Sequence, residues 1–127
     1  MAITRRGALA TAIAAPVLPM AARAQTAAAW APTRPVRIVV GFPPAGTTDI
    51  AARLLADPLS RRLGQPVTVE NRPGAGGNIG ADALAKAAPD GYSMAPLTLG
   101  AWHINTFLYS RLPYDPQRDF QPVSMHW

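Results

Sequence analysis

Twice in this chain a short β-branched segment runs into a loop of glycine and proline that leads to a helical segment. The first segment is residues 36–40, VRIVV, followed by the loop of residues 41–46; the second is residues 66–71, PVTVEN, followed by residues 72–77. Short β-branched runs that end at Gly and Pro predict strands. Strands that alternate with helices predict a parallel sheet with right-handed crossovers. The sequence therefore predicts an α/β fold, a parallel sheet with flanking helices.

The first helical segment, residues 50–63, has helical apolar spacing and defined ends. Its predicted buried face consists of Ile50, Leu54, Leu55, Leu59 and Leu63. Thr47, Thr48 and Asp49 precede it and are all good N-cap residues, while Gly64 suits the residue after a helix. Pro58 removes one helical hydrogen bond and clashes with the preceding turn, so it predicts a kink or a broken turn near Ala56.

The second half of the chain has weaker signals. Residues 78–87 predict a second helix that ends at the turn of residues 89–91, and residues 92–99 predict a third strand. Pro96 lies within that strand, which favours an edge position or a bulge. Residues 100–109 predict a loop with a short helix, and residues 120–123 the start of a fourth strand. Trp30 is expected to hold the N-terminal lead-in, residues 25–33, against the body.

The first 24 residues have the pattern of an export signal. Arg5 and Arg6 precede an apolar stretch, residues 7–22, and Ala22-Arg23-Ala24 fits the small-x-small rule for signal peptidase. The stretch is short for a membrane span, which needs about 20 residues. We therefore predict cleavage after Ala24, export to the periplasm and no stable membrane insertion afterwards. The paired arginines also suit a twin-arginine signal, which leaves the export route open.

Charge and residue types exclude several classes of function. The formal net charge is +5, but three of the twelve basic residues lie in the signal, so the remainder carries +2 without a dense basic patch. Nucleic acid is therefore not an expected partner, whereas a small anionic ligand suits this balance. No cysteine is present, which excludes disulfides and thiolate chemistry. His103 and His126 lack metal-ligand spacing, so no metal, cofactor or catalytic constellation is predicted.

The first loop has the glycine spacing of a phosphate-binding loop, with Gly41 and Gly46. The lysine that should follow is replaced by Thr47, so a nucleotide triphosphatase is disfavoured. A loop that enters a helix N-terminus still presents free N–H groups and a positive dipole end, which suits a carboxylate. The alternative is a tight strand-to-helix turn capped by Asp49. In the functional interpretation Asp49 would instead fix the anion-binding loop or contact an amino or hydroxyl group of the ligand.

The second loop has part of a dinucleotide-binding pattern. Gly74 and Gly76 follow a strand, but Ile79 stands where the third glycine belongs. Arg72-Pro73 also lengthens the turn that the pyrophosphate requires to be tight. An exported nucleotide-dependent enzyme is therefore only a minor alternative.

Several motifs in order resemble the Bug-type receptors, the extracytoplasmic solute-binding proteins of tripartite tricarboxylate transporters. They are FPPAGTTD (residues 42–49), RRLGQPV (61–67), ENRPGAGGNIG (70–80), PDGY (89–92), LPYDP (112–116), and the pairs at 104–105, 108–109, 119–120 and 122–123. The resemblance implies a two-lobed Venus-flytrap fold of the periplasmic-binding-protein type, without catalytic activity or cofactor. It implies a small carboxylate ligand (a dicarboxylate, tricarboxylate or amino acid) and membrane transporter subunits as partners.

The resemblance also implies which residues bind the ligand. They are Phe42, Pro44, Ala45, Gly46, Thr47, Thr48 and Asp49 in the first loop, Gly76, Gly77, Asn78 and Ile79 in the second, and Thr98, Leu99 and His103 in the third. All three loops follow predicted strands, where open α/β sheets bind ligands.

The chain departs from the family pattern at a few points. Ala45 stands where the family has glycine, which costs on the order of 1 kcal/mol if the position needs positive φ. Residues 93–96 interrupt an apolar strand, and Thr106 replaces a proline. The length implies that residues 34–127 are an incomplete first lobe, so the chain alone is expected to bind carboxylates weakly, because a flytrap closes with two lobes. A non-functional receptor remnant is the alternative.

Overall fold

The computed structural model describes residues 30–125; the predicted signal peptide and His126 lie outside them. Three strands form one parallel sheet: β1 (Val36–Val40), β2 (Val67–Asn71) and β3 (Ser93–Met94), in the order β2-β1-β3. The helices are α1 (Thr47–Leu63), α2 (Asn78–Ala85) and α3 (Asn105–Leu108). A 3-10 turn, Ala75–Gly77, precedes α2, and a π-helical turn, Gly100–Ile104, precedes α3. The α/β prediction is confirmed.

β1 is the centre of the sheet and of the main core. It pairs with β2 over its whole length, from Val36 opposite Val67 to Val40 opposite Asn71. Four of its five residues are at most 3% exposed, as expected for a parallel strand covered on both faces. Both neighbours run parallel to it, so the loops after β1 and β2 leave the sheet at one edge. That edge carries the candidate site.

The predicted buried face of α1 is wrong. Leu54 is 71% exposed and Ile50 is 50% exposed, while Ala52 and Ala56 are buried against Ile38 and Val40. The pattern of large apolar residues was misleading, because the small alanine side chains are what lets the helix approach the sheet closely.

Pro58 does not break α1, so of the predicted kink or broken turn near Ala56 the broken turn is wrong. The helix starts three residues earlier than predicted and runs unbroken from Thr47 to Leu63. Pro58 removes the hydrogen bond to the carbonyl of Leu54, and that residue is well exposed, so water can satisfy the carbonyl. Gly64 ends the helix as predicted, with φ of 66° and its N–H donating to the Ser60 carbonyl.

The third strand is much shorter than predicted. Regular pairing with β1 covers only Ser93 and Met94, and residues 95–98 are irregular. Pro96 lacks the N–H that a longer ladder requires. Within residues 30–125, β3 lies at an edge of the sheet, as predicted. Within residues 30–125 the predicted fourth strand at 120–123 does not form, and Phe120 packs on the Tyr114 ring, with 5.5 Å between centroids.

The N-terminal end of the described chain is held as predicted. Trp30 packs edge-on against Tyr92, with 5.5 Å between ring centroids. The Thr33 N–H donates to the Tyr92 hydroxyl at 2.9 Å. Among residues 30–125, none of the helices combines the length and the apolar character that a membrane crossing requires.

Candidate functional site

An open cavity of about 540 Å³ lies where β1 ends and α1 begins. Its walls come from the first loop, which we define as residues 42–49, and from one residue of the third loop. The lining residues are Phe42, Pro43, Pro44, Ala45, Gly46, Thr47, Thr48 and Thr98. The structure thus brings together six predicted first-loop residues and Thr98.

The N-terminus of α1 presents free backbone donors to this cavity. Gly46 is the N-cap residue, and its carbonyl accepts the Ile50 N–H at 2.9 Å. Within residues 30–125, the N–H groups of Thr47 and Thr48, which both line the cavity, have no acceptor. Free donors at the positive end of a 17-residue helix favour an anion.

Asp49 lies behind the cavity wall and is only 2% exposed. One carboxylate oxygen accepts the Ala45 N–H and Arg53 Nε, both at 2.9 Å, and the other accepts Asn71 Nδ2 at 2.8 Å. The hydrogen bond from Arg53, with those from Asn71 and Ala45, holds the pKa of this carboxyl well below its usual range. Gly46 is the N-cap residue, so an N-cap role for Asp49 is wrong. Asp49 accepts the Ala45 N–H, which agrees with the alternative prediction that it fixes the loop.

Ala45 adopts a left-handed conformation, as the glycine that the family has at this position suggested. Its φ is 64°, and its side chain is exposed. Without compensating packing, a non-glycine residue in this region is strained by about 1 kcal/mol or more. The strain lies at the cavity wall, next to the free donors.

The second loop supports the first loop from behind. A Cβ added at Gly80 would lie 2.5 Å from Gly41 Cα, and one at Gly77 would lie 3.3 Å from the Phe42 ring. Glycine at these positions therefore permits the start of α2 to approach the end of β1 and the second loop to approach Phe42. Gly77 is buried and does not line the cavity, so its contribution is to the shape of the first loop.

Asn78 also lies away from the cavity, in a buried polar cluster that sequence reasoning missed. Asn105 Nδ2 donates to Asn78 Oδ1 at 2.6 Å, and the Tyr114 hydroxyl lies 2.8 Å from both that oxygen and the Ala101 carbonyl oxygen. All three polar side chains are at most 6% exposed. Burial raises the pKa of the Tyr114 hydroxyl. The cluster joins α2 to the segment that follows β3. All three residues lie in the motifs that resemble the receptor family, but no local pattern pairs them.

The remaining predicted residues do not reach the first-loop cavity. Gly76 is exposed, and Ile79 lines a separate cavity of about 220 Å³ together with Tyr109 and Arg111. Leu99 is 68% exposed, and His103 is exposed and packs against the Phe107 ring. Sequence reasoning also missed Arg53 and Asn71, which contact Asp49. Within residues 30–125, no three His, Asp or Glu side chains lie close enough to hold a metal ion.

Comparisons with known proteins agree with this architecture. The family model described as tripartite tricarboxylate transporter family receptor matches residues 51–126. Protein BugT of Bordetella pertussis is 49% identical over 100 residues, which are 74% of this chain and 29% of BugT. Among solved structures, the periplasmic binding protein BugD is 43% identical with a TM-score of 0.69, over 72% of this chain and 30% of BugD.

A second solved structure contains a ligand. MatC of Rhodopseudomonas palustris, with bound malate, is 42% identical with a TM-score of 0.69, over 72% of this chain and 31% of MatC. The chain thus spans 29–31% of the length of these three relatives. The family model covers more than half of the chain, and similarity in sequence and in fold points the same way. The chain therefore belongs to the tripartite tricarboxylate transporter receptor family.

Proposed function

We propose that this chain is part of an extracytoplasmic solute-binding protein that captures a small carboxylate for a tripartite tricarboxylate transporter. The observation that supports this most directly is the set of free N–H groups at the N-terminus of α1, beside an open cavity. The similarity to MatC, which has bound malate, favours a dicarboxylate. The proposal describes binding without catalysis.

The first loop supplies one wall for a ligand carboxylate. Backbone N–H groups bind a carboxylate without the cost of ordering long side chains, and the helix dipole adds a favourable field. Phe42, Pro43 and Pro44 give the rest of the wall an apolar character, which suits the methylene groups of a short dicarboxylate. We expect the chain by itself to bind weakly, because one wall leaves most of the ligand in water.

Export completes the proposal. Residues 1–24 would act as the signal, with cleavage after Ala24 and release into the periplasm. The membrane subunits of the transporter would be the partners. Mass spectrometry of the periplasmic protein tests the export step, and recovery of the chain with residues 1–24 still attached would contradict it.

Thr47→Pro tests the proposed carboxylate contact. Thr47 is the first helical residue, and Gly46 before it has φ of −77° and ψ of 166°, a conformation that the residue before a proline favours. Proline is well tolerated at this position, so the substitution removes one free N–H without disturbing α1. The matched control, Thr47→Ala, keeps the N–H and removes only the side-chain hydroxyl.

The readout is the affinity for malate, measured by NMR titration of the purified chain. We expect Thr47→Pro to weaken binding about tenfold, since a hydrogen bond to a charged group contributes roughly 1.5–3 kcal/mol and water replaces part of it. Thr47→Ala should bind within about threefold of the unmodified chain. Equal affinity for Thr47→Pro and the unmodified chain would refute the contact.

A further inference from the structure

Two hydrogen bonds join the first loop to β2, and the Asn71 side chain donates both. This residue is the last of β2, opposite Val40. Its side-chain Nδ2 donates to the Phe42 carbonyl at 3.1 Å and to Asp49 Oδ1 at 2.8 Å. A single amide group of the neighbouring strand thus contacts both ends of the first loop.

Arg53 completes the arrangement from within α1. Its Nε donates to Asp49 Oδ2 at 2.9 Å, and its Nη2 donates to Asn71 Oδ1 at 3.2 Å. Asp49 Oδ2 in turn accepts the Ala45 N–H. Asp49, Arg53 and Asn71 therefore contact one another pairwise, and we call these three residues the loop clamp.

The loop clamp holds a strained residue in place. Ala45 is in the left-handed region, with φ of 64°, which alanine adopts only when the surroundings over-determine it. The hydrogen bond from its N–H to Asp49 is the contact that fixes this peptide. If Asp49 lost its other partners, it could rotate away and the strained peptide could relax.

The loop clamp also sets the charge beside the cavity. An unpaired Asp49 carboxylate in the first turn of α1 would repel an incoming carboxylate. Arg53 pairs with it at 2.9 Å, and β2 contributes only the neutral amide of Asn71 at this point. Among the described residues, Arg53 is the charged group that contacts Asp49.

We propose that Arg53 and Asn71 are positioning residues, which hold Asp49 and thereby fix the first loop in its ligand-binding shape. Neither side chain lines the cavity, so each acts through Asp49 and not through contact with the ligand. The consequence for affinity rests on the proposed function, whereas the consequence for the loop does not.

The test uses Arg53→Gln, Asn71→Ala and the double variant in the full chain. Arg62→Gln is the matched control, because Arg62 is an exposed arginine of the same helix without an ion pair in the described part of the chain. Arg53→Lys is the conservative variant, which keeps the charge and loses the planar guanidinium whose two nitrogens reach Asp49 and Asn71. Circular dichroism establishes that each variant is folded.

Two readouts are taken without ligand. The first is hydrogen exchange at the Ala45 amide, which should accelerate about tenfold in either single variant. The second is the carboxyl ¹³C shift of Asp49 against pH, whose midpoint should rise toward the ordinary pKa of 3.8, because the lost donors favoured the ionised form. Arg62→Gln should leave both unchanged, and Arg53→Lys should lie between.

The third readout is malate affinity. We expect each single variant to weaken it several-fold and the double variant to weaken it by less than the product of the two, because both act through one carboxylate. Unchanged Ala45 exchange and an unchanged Asp49 midpoint in both single variants would overturn the proposal. If the unmodified chain does not bind malate at all, the proposed function fails, and the two ligand-free readouts still decide the loop clamp.

Discussion

Replacing Ala45 by glycine should stabilise this protein, although glycine usually destabilises. Ala45 has φ of 64°, and its methyl group is exposed at the cavity wall. The left-handed conformation costs an alanine roughly 1–2 kcal/mol that glycine does not incur. Glycine adds unfolded-state entropy worth about 0.4–1 kcal/mol in the opposite direction. The net expectation is a gain of about 0.5–1 kcal/mol in the free energy of unfolding.

The assay is urea unfolding followed by circular dichroism, with Ala51→Gly as the matched control. Ala51 lies inside α1, so the same exchange should cost about 1 kcal/mol there. Opposite signs at the two positions would support the left-handed geometry of the first loop, since the chemical change is identical. A loss of stability in Ala45→Gly similar to that in Ala51→Gly would refute the reasoning.

Three further predictions follow from the packing and the charges. Gly80→Ala should lower the free energy of unfolding by about 1–3 kcal/mol, because its Cβ would lie 2.5 Å from Gly41 Cα; a urea midpoint equal to that of the unmodified chain would contradict this contact. Tyr114→Phe should cost about 1 kcal/mol, since its hydroxyl lies 2.8 Å from Asn78 Oδ1; thermal melting checks this, and an unchanged Tm would argue against the buried cluster. The lowered pKa of Asp49 contributes stability that is fully present when the pH is above the ordinary pKa and is lost as the pH falls toward the pKa of the folded state. As the pH is lowered from 5 to 2, the urea midpoint should therefore fall less steeply in Asp49→Asn than in the unmodified chain. Identical slopes would exclude the effect.

The first two strands were predictable because their signals are local, whereas the third was predicted too long and the fourth was wrong. The β-branched run at residues 36–40 matches β1 residue for residue, and residues 66–71 miss β2 by one. The same local reasoning failed for α1, where Leu54 and Ile50 point to solvent and alanines face the sheet. Which face of a helix is buried depends on how closely the helix axis approaches the sheet, and the sequence of the helix alone does not determine that distance.

The candidate site was only partly predictable, for a related reason. The first loop follows from sequence, since it joins a strand to a helix N-terminus. Its supports do not: Asn71 is 22 positions from Asp49, and Tyr114 is 36 positions from Asn78. No periodicity or local motif pairs residues so far apart. Gly76 and Gly77 of the second loop were predicted to contact the ligand, and that stays a prediction. Gly77 is buried against Phe42, a contact that sequence reasoning did not predict.

The most direct test of the proposed carboxylate site is an NMR titration of the ¹⁵N-labelled chain with malate, with the uncharged diamide of malate as the control ligand. We predict saturable shifts at the amides of Thr47 and Thr48, at millimolar concentrations, with no comparable response to the diamide. Absence of saturable shifts at these amides, or equal shifts with the diamide, would contradict the assignment of the first loop as a carboxylate-binding wall.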